Sequence, residues 1–290
     1  MKNPLFAGVC TALVTPFLEN KVNYPMLDML LRRQIDAGVT SVVVAGTTGE
    51  APTLSDDEKR ELIQRAKSYA GDACNIIAGT GSNSTEHAVE LSRDAENAGA
   101  DALLVVSPYY HKATADGLVA HYSAIAHSIS IPVILYNVPS RTGVDMPVSV
   151  YRRLSAISNI VGVKEAATDI TKIARIRKEC PSDFFVWSGN DELIVPAMAL
   201  GAQGVVSVLS NFCPVETRVM AEAALDGDFD TAATLQVELL PLIDLLFCEV
   251  NPIPIKEAMA LIGYDCGGCR LPLTGLTKEN HKKLKEYLKK

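Results

Sequence analysis

Short apolar runs alternate with longer amphipathic stretches along most of the chain. The apolar runs are rich in valine and isoleucine, and they lack the regular alternation of apolar and polar residues that marks a half-exposed strand. Each run therefore predicts a strand that is covered on both faces. The predicted strands are Val9–Val14, Ser41–Ala45, Asn75–Gly79, Ala102–Ser107, Pro132–Asn137, Ile160–Lys164, Phe184–Ser188 and Gly204–Val208.

The stretches between these strands carry apolar residues at helical spacing. Ser55 and Glu58 have the spacing of a capping box, which predicts the start of a helix. Gly38, Gly99 and Gly201 follow predicted helices at the position where glycine ends a helix in the left-handed conformation. The predicted helices are Tyr24–Ala37, Ser55–Tyr69, Thr85–Ala98, Thr114–Ser128, Pro147–Ala156, Ile170–Cys180 and Glu192–Leu200.

Repeated strand–helix units with short connections predict an α/β fold, a parallel sheet closed into a (β/α)8 TIM barrel. An open, doubly wound sheet is the alternative, but the first predicted strand lacks the GxGxxG turn that often accompanies it. Beyond residue 225 the pattern is helical only, over 228–247, 254–262 and 278–289. We therefore expect a catalytic barrel at 1–225 and a small C-terminal helical domain at 226–290.

Composition narrows the function classes. The net charge is −7 and no basic face is evident, which argues against nucleic acid and acidic membranes as partners. No apolar run has the length of a membrane span, and the start of the chain lacks the apolar core of an export signal. The seven cysteines are mostly scattered through apolar segments, as expected for reduced thiols, and a cytoplasmic location is predicted.

Metal and cofactor signals are weak. Cys266 and Cys269 form a lone CxxC without a second pair or nearby histidines, so a zinc or redox role is disfavoured. The five histidines are dispersed, and no phosphate-binding loop is present. We therefore expect no metal and no cofactor.

Lys164 ends a predicted strand of apolar residues and is the first candidate for chemistry. Active sites of (β/α)8 barrels lie at the C-terminal ends of the strands. Burial there disfavours the charged form of an amine, which is what a nucleophilic lysine needs. The structural alternative is a lysine that reaches solvent where the strand ends.

Other strand ends add compatible groups. Glycines flank Thr47 and Thr48, so backbone N–H groups there can turn toward a small carboxylate. Tyr136 ends the fifth predicted strand and can transfer protons for an amine, and Arg141 in the following loop can bind a carboxylate. The structural alternatives are an ordinary β-turn at the threonine pair, a core position for Tyr136 and a surface ion pair for Arg141.

Two further strand ends complete the set. Tyr109 and Tyr110 follow the fourth strand, and 189–191 (Gly-Asn-Asp) offer carbonyls and polar groups at the same rim after the seventh. Together these residues favour an enzyme that forms a Schiff base between a lysine and a 2-oxo acid. They do not identify the substrate.

Five motifs resemble the dihydrodipicolinate synthase family in order and spacing over the whole chain. They are GTTGE at 46–50, SPYY at 107–110, YNVPSRTG at 136–143, GVKEA at 162–166 and NPIPIKEA at 251–258. The resemblance implies a lyase that condenses pyruvate with L-aspartate 4-semialdehyde in diaminopimelate and lysine biosynthesis. It also implies a homotetramer built as a dimer of dimers.

The resemblance assigns roles to individual residues. Lys164 would form the imine with pyruvate, and Tyr136 would act as acid and base over it. Thr47 would connect Tyr136 to Tyr110, which would come from a neighbouring subunit. The remaining substrate-binding residues by resemblance are Thr48 for the pyruvate carboxylate, Arg141 for the carboxylate of the second substrate, and Gly189 and Val206 for the opposite wall.

Many members of this family carry a second site for feedback inhibition by lysine. His87 stands where lysine-sensitive bacterial enzymes often have a glutamate, and Lys59 stands where a histidine is common. A cation at Lys59 would repel a cationic effector, and the missing carboxylate removes its partner, so we expect weak or absent inhibition. The matching positions are Ala51, Pro52, Asp56, Lys59, Asn83, His87 and Tyr109, of which Asn83 and Tyr109 keep the pattern.

Three other functions remain open at this point. N-acetylneuraminate lyases and 2-keto-3-deoxy sugar-acid aldolases share Lys164 and Tyr136, but they usually lack an arginine at the position of Arg141. A non-catalytic ligand-binding barrel is the third, although Lys164, the tyrosines and the threonine pair are all intact.

Overall fold

Eight parallel strands close into a barrel in the computed structural model of the chain, which describes residues 3–289. Each strand pairs with its neighbours in sequence, and the first also pairs with the last. The TIM barrel is therefore confirmed. Each end of every predicted strand lies within two residues of the corresponding observed end. The strands are β1 (Gly8–Ala12), β2 (Ser41–Val44), β3 (Asn75–Gly79), β4 (Ala102–Val106), β5 (Val133–Asn137), β6 (Ile160–Glu165), β7 (Phe185–Ser188) and β8 (Gly204–Ser207).

Apart from a one-turn helix at Pro139–Thr142 after β5, one α-helix follows each strand, and three more complete the part of the chain that the structure describes. The predicted capping box is present: the Ser55 side chain accepts from the Glu58 amide, and the Glu58 side chain accepts from the Ser55 amide. The helices are α1 (Tyr24–Asp36), α2 (Asp56–Ala70), α3 (Thr85–Asn97), α4 (Ala115–His127), α5 (Val148–Leu154), α6 (Thr171–Glu179), α7 (Ile194–Ala199), α8 (Pro214–Leu225), α9 (Phe229–Leu246), α10 (Ile253–Leu261) and α11 (Lys278–Tyr287).

Several elements were not predicted. Helix α8 is absent from the sequence-based assignment, and so is a short hairpin of Phe17–Leu18 and Lys21–Val22. The predicted helix Glu192–Leu200 begins instead with a 3-10 turn at Asp191–Leu193. The expectation that no export signal begins at Met1 falls partly outside the described residues.

Side chains of the strands enter two separate apolar layers because successive residues of a strand point to opposite faces. On β2, Val43 belongs to the barrel interior, whereas Val42 and Val44 face the helices. The floor of the interior is closed by Phe6, whose ring stacks on Trp187 with centroids 4.9 Å apart. Phe6 therefore fills the barrel interior near the N-terminal ends of the strands.

The C-terminal helices pack against the barrel. Helix α9 lies against α8 and α7, and α11 lies against α9 and α10. A buried ion pair joins Lys256 on α10 to Glu50, with 2.8 Å between Nζ and Oε1. The boundary at residue 225 stays a prediction. Within residues 3–289, none of the helices combines the length and apolar character that crossing a bilayer requires.

Candidate active site

A cavity of about 410 Å³ opens at the C-terminal ends of the strands. The strands deliver side chains from distant parts of the sequence to this one mouth, as the barrel topology requires. The predicted residues that line it are Thr47, Thr48, Tyr136, Arg141, Lys164 and Gly189.

Lys164 is buried, with 5% of its surface exposed. It lies on β6 opposite Tyr136 on β5, so both side chains enter the barrel interior, and its Nζ is 4.4 Å from the centroid of the Tyr136 ring. Among residues 3–289 the amine has no carboxylate partner and donates no hydrogen bond. An unpaired amine in a buried cleft is unusual in a protein and is typical of a reactive group.

Gly189 makes room for that amine. A Cβ at this position would lie 3.0 Å from Lys164 Cε and 2.7 Å from Ala166 Cβ, closer than packed side chains approach. The predicted role of Gly189 in the wall of the site therefore has a steric reason, because a larger residue would displace the lysine.

The turn after β2, which carries Thr47 and Thr48, has an unusual backbone. Its two ends, Ala45 and Glu50, both have left-handed backbones, with φ of 51° and 56°. Such conformations in residues other than glycine are strained and concentrate at functional sites. Within the part of the chain that the structure describes, the N–H groups of Thr47 and Thr48 have no acceptor, so they are free to bind a carboxylate.

Asn251 is a site residue that sequence reasoning did not single out. Its Nδ2 donates to Thr48 Oγ1 at 3.0 Å, and its carbonyl oxygen accepts from Arg141 Nη2 at 3.3 Å. Its Oδ1 is buried and without a partner among residues 3–289. The only available signal was its position at the start of the NPIPIKEA motif, to which no role was assigned.

Arg141 lies in a one-turn helix, Pro139–Thr142, rather than in the predicted loop. Gly143 closes this turn with φ of 69°. The guanidinium is exposed and, among the described residues, forms no ion pair, so the surface ion pair that was its structural alternative is absent. An exposed guanidinium at the mouth can bind a carboxylate.

Tyr110 lies apart from this mouth in the single chain. It is 84% exposed, and its φ is 75°, a left-handed backbone that is rare for a bulky residue. The neighbouring Tyr109 is 39% exposed and lines a different cavity.

That second cavity has a volume of about 470 Å³ and shares Thr47, Tyr136 and Arg141 with the first. Asp56 binds both candidate effector residues that depart from the family pattern: its carboxylate lies 3.1 Å from Lys59 Nζ and 3.0 Å from His87 Nε2. The hydrogen bond from His87, more than that from Lys59, lowers the pKa of Asp56. The candidate effector residues on its lining are Ala51, Pro52, Asp56, Lys59, His87 and Tyr109.

Asn83, the remaining candidate of that group, is half-buried and directly precedes Ser84, which caps α3. Asn83 therefore lies just before α3, whose first turn carries His87.

Asp191 was expected at the exposed rim, and this prediction is wrong. The residue is buried, and its Oδ2 accepts from the amides of Val208 and Leu209 at 2.9 Å each. Burial raises the pKa of this carboxyl. Val206 is also buried in the barrel interior, and Val208 lines the cavity above it.

The CxxC pair carries free thiols: Cys266 is buried and Cys269 is half-buried. Burial raises the pKa of Cys266 to about 12 and that of Cys269 to about 11, so both stay protonated thiols at neutral pH. Among residues 3–289, no three or more histidine, cysteine, aspartate or glutamate side chains are arranged to hold a metal ion.

Comparison with known proteins gives a match along the whole chain. The dihydrodipicolinate synthetase family matches residues 5–290. A 4-hydroxy-tetrahydrodipicolinate synthase of Acetivibrio thermocellus is 47% identical over 289 residues, which cover 100% of this chain and 98% of the relative.

Solved structures agree in fold. Dihydrodipicolinate synthase from Aquifex aeolicus superimposes with a TM-score of 0.96 at 43% identity, covering 98% of this chain and 97% of that one. The enzyme of Acinetobacter baumannii, crystallised with pyruvate, superimposes with a TM-score of 0.95 at 42% identity and 98% coverage of both chains. These proteins share both the length and the barrel of this chain.

Proposed function

The chain belongs to the dihydrodipicolinate synthetase family, and we propose that it is a lyase that condenses pyruvate with L-aspartate 4-semialdehyde on Lys164. This reaction belongs to diaminopimelate and lysine biosynthesis. The observation that carries the proposal is the buried amine of Lys164, unpaired within residues 3–289, beside Tyr136 and the free amides of Thr47 and Thr48. The pyruvate-bound relative from Acinetobacter baumannii supports the choice of first substrate.

The first half of the reaction is imine formation. Lys164 Nζ attacks the ketone carbon of pyruvate, and water leaves as the C=N bond forms. Tyr136, whose ring centroid lies 4.4 Å from the amine, donates and accepts the protons through its hydroxyl. The amides and the hydroxyl of Thr48 hold the carboxylate, which fixes the ketone over the lysine.

The second half forms the carbon–carbon bond. The imine loses a proton from the pyruvate methyl group and becomes an enamine, whose carbon attacks the aldehyde of the second substrate. The amine of the product then attacks the imine carbon, closes the ring and releases Lys164. The protonated imine itself accepts the electrons, so this chemistry requires no metal or cofactor.

Arg141 binds the carboxylate of the second substrate in this proposal. The support is its exposed guanidinium, free of ion pairs within residues 3–289, and its hydrogen bond to the Asn251 carbonyl. Asn251 also bonds Thr48, so one residue connects the two carboxylate subsites.

Tyr110 acts in a second copy of the chain. An 84% exposed tyrosine on a left-handed backbone fits a residue that is delivered to a neighbouring subunit, where Thr47 links it to Tyr136. We therefore propose a homotetramer, a dimer of dimers, in which the dimer is the active unit. Tyr110→Phe should lower turnover, and unchanged turnover would remove Tyr110 from the relay.

Lysine inhibits this protein weakly or not at all. The carboxylate of Asp56 is already engaged by Lys59 and His87, so the second cavity offers a cationic effector no free carboxylate from this cluster. An inhibition assay tests this directly, and an inhibition constant like that of lysine-sensitive relatives would contradict it. We also propose a cytoplasmic location, which fits the free thiols of the chain.

The deciding experiment is pyruvate consumption by the purified protein with L-aspartate 4-semialdehyde, with N-acetylmannosamine and glyceraldehyde as controls. Fast turnover with the semialdehyde alone supports the proposal. Turnover only with a sugar aldehyde assigns the protein to a sugar-acid lyase. Failure of borohydride to trap pyruvate on Lys164 would reject Schiff-base chemistry altogether.

A further inference from the structure

Polar side chains cluster behind the active site, on the outer face of β5 and β6 where these strands meet the surrounding helices. On the same outer face, residues such as Val44 and Val105 of other strands belong to the apolar layer between the barrel and the helices. We name this cluster the rear network. Its members are Asn137, Asp145, Tyr151, Glu165 and Lys172.

Glu165 is the centre of the rear network. Its side chain is 1% exposed, and both carboxylate oxygens are bonded. Oε1 accepts from Asn137 Nδ2 at 2.7 Å and from the Ala167 amide at 2.9 Å. Oε2 accepts from the Tyr151 hydroxyl at 2.9 Å and lies 3.4 Å from Lys172 Nζ, which also pairs with Asp145.

The network touches the catalytic strands at their functional residues. Asn137 directly follows Tyr136 on β5, and Glu165 directly follows Lys164 on β6. Across the two strands, Tyr136 is paired with Lys164 and Asn137 is paired with Glu165. Successive residues of a strand point to opposite faces, so a side chain fixed on the outside fixes the backbone that aims its neighbour inward. The Asn137–Glu165 bond therefore sets the relative position of Tyr136 and Lys164.

Asn137 also holds the segment that carries Arg141. Its Nδ2 donates to Asp145 at 2.9 Å, and its Oδ1 accepts from the Met146 amide at 3.0 Å. Residues 138–146 are therefore closed into a loop on the same asparagine. The rear network is the common support of the lysine, the tyrosine and the arginine.

Stability alone does not account for this arrangement. A buried ion pair contributes little or nothing compared with apolar side chains of similar size, because both charges lose their hydration. An exact geometry between two strand ends does need directional bonds, which apolar contacts do not supply.

We propose that Glu165 is a positioning residue for Lys164, and that through Asn137 it holds Lys164, Tyr136 and the Arg141 segment in their reactive arrangement. The inference deepens the proposed function and rests on it, because it requires Lys164 to form the imine.

The test compares two buried tyrosines. Tyr151→Phe removes a donor to Glu165, whereas Tyr122→Phe removes a donor to a backbone carbonyl, that of Val105, at 3.3 Å. Both residues lie on barrel helices and both side chains are fully buried, so the two variants make the same change in the same layer, and thermal unfolding measures the stability that each loses. Only the first should disturb Lys164.

The readout is the rate at which borohydride traps pyruvate on Lys164, together with kcat and KM for both substrates. For Tyr151→Phe we expect trapping and kcat to fall at least about tenfold below Tyr122→Phe, because small misplacements of a reacting group are costly. Equal trapping in the two variants would overturn the inference. Absence of trapping in the unaltered protein would instead reject the proposed function.

A second variant uses pH and does not depend on Tyr151. Burial raises the pKa of Glu165, and the charge of Lys172 opposes that rise; Asp145, Tyr151 and Asn137 are the other groups that face it. In Lys172→Met, Glu165 should take up a proton at higher pH than in the unaltered protein. The acid limb of the trapping rate should then move to higher pH, while Tyr122→Phe leaves it in place. An unmoved limb would contradict the role of Glu165.

Discussion

Lys164 and Lys256 are both buried, at 5% and 3% exposure, and each amine lies over an aromatic ring, 4.4 Å from the centroid of Tyr136 and 4.3 Å from that of Phe17. Their polar surroundings differ. Lys256 Nζ lies 2.8 Å from Glu50 Oε1 and donates to the Gly268 carbonyl at 2.9 Å. Lys164 has neither kind of partner within residues 3–289.

The difference separates a structural lysine from a reactive one. A buried ammonium that is bonded to a carboxylate and a carbonyl has its lost hydration replaced, so it joins two parts of the chain. A buried amine without partners is poorly compensated, and it becomes stable only when a substrate reacts with it. Burial alone therefore does not identify the reactive lysine. The lack of a hydrogen-bond or ion-pair partner among the described residues does.

The largest expected effect comes from Lys164→Met. Removal of the nucleophile should reduce turnover by about 10⁴-fold or more, because Lys164 is the only lysine among the described residues that line the mouth. The melting temperature should stay level or rise, since an unpaired buried amine is replaced by an apolar side chain of similar length. Kinetic assay and thermal unfolding check both parts, and residual trapping of pyruvate by borohydride would contradict the assignment.

Lys256→Met is the matched opposite. It leaves Glu50 buried without its ion partner and should lower the free energy of unfolding by about 3–5 kcal/mol. Urea denaturation measures this change, with Lys164→Met as the control of equal side-chain chemistry. If the two variants were equally stable, the contrast between the two lysines would be wrong.

Gly189→Ala tests the space around Lys164 without removing it. The added Cβ would meet Lys164 Cε at 3.0 Å, so the amine must shift. We expect kcat/KM for the condensation to fall about 10- to 100-fold while the fold is retained. Gly227→Ala is the control for a glycine-to-alanine change away from the site. Its added Cβ meets nothing within 4 Å, although the left-handed φ of 82° carries some strain. Full activity of Gly189→Ala would show that the lysine is not tightly held.

The smallest expected effect concerns Glu58, which lies near the buried pair of Lys256 and Glu50. Arg270 lies 2.6 Å from Glu58 and lowers the pKa of that carboxyl, while the Arg270 amide donates to Glu50 at 2.8 Å. Glu58→Gln keeps the capping-box geometry but removes the charge, and should lower the free energy of unfolding by about 1 kcal/mol.

The pH dependence follows from the direction of that pKa shift. A carboxyl whose pKa is lowered by folding contributes its stability above its unfolded pKa and loses it as pH falls through the folded one. The gap in stability between Glu58→Gln and the unaltered protein should therefore be full at neutral pH and close in acid. A gap independent of pH would assign the effect to something other than the ion pair.

The elements that the sequence predicted well have strong local patterns. The eight strands are short runs made mostly of apolar residues, and the capping box at Ser55 is a contact between residues three apart. Helix α8 was missed because apolar residues also occupy its exposed face, with Val215 at 47% and Val219 at 38% exposure, which blurs the helical pattern. The hairpin at Phe17 was missed because its two-residue strands are too short to show any periodicity.

The candidate site divides in the same way. Lys164, Tyr136, Arg141 and the threonine pair could be named from the sequence, because each lies at or just after the C-terminal end of a strand and the barrel brings all these ends to one mouth. Asn251 and Glu165 could not, since their roles rest on contacts with residues 28 to 203 positions away. Asp191 was misplaced because the sequence does not reveal which polar residue at a strand end turns inward.

The sequence by itself determined which residue types stand at the ends of the strands, and hence the class of chemistry available there. Only the tertiary structure decided which of the buried lysines is left without a carboxylate partner among the described residues, because partners such as Glu50 come from far along the chain. Hydrogen bonds and ion pairs act over a few ångströms in space, and sequence separation carries no information about that distance until the chain has folded.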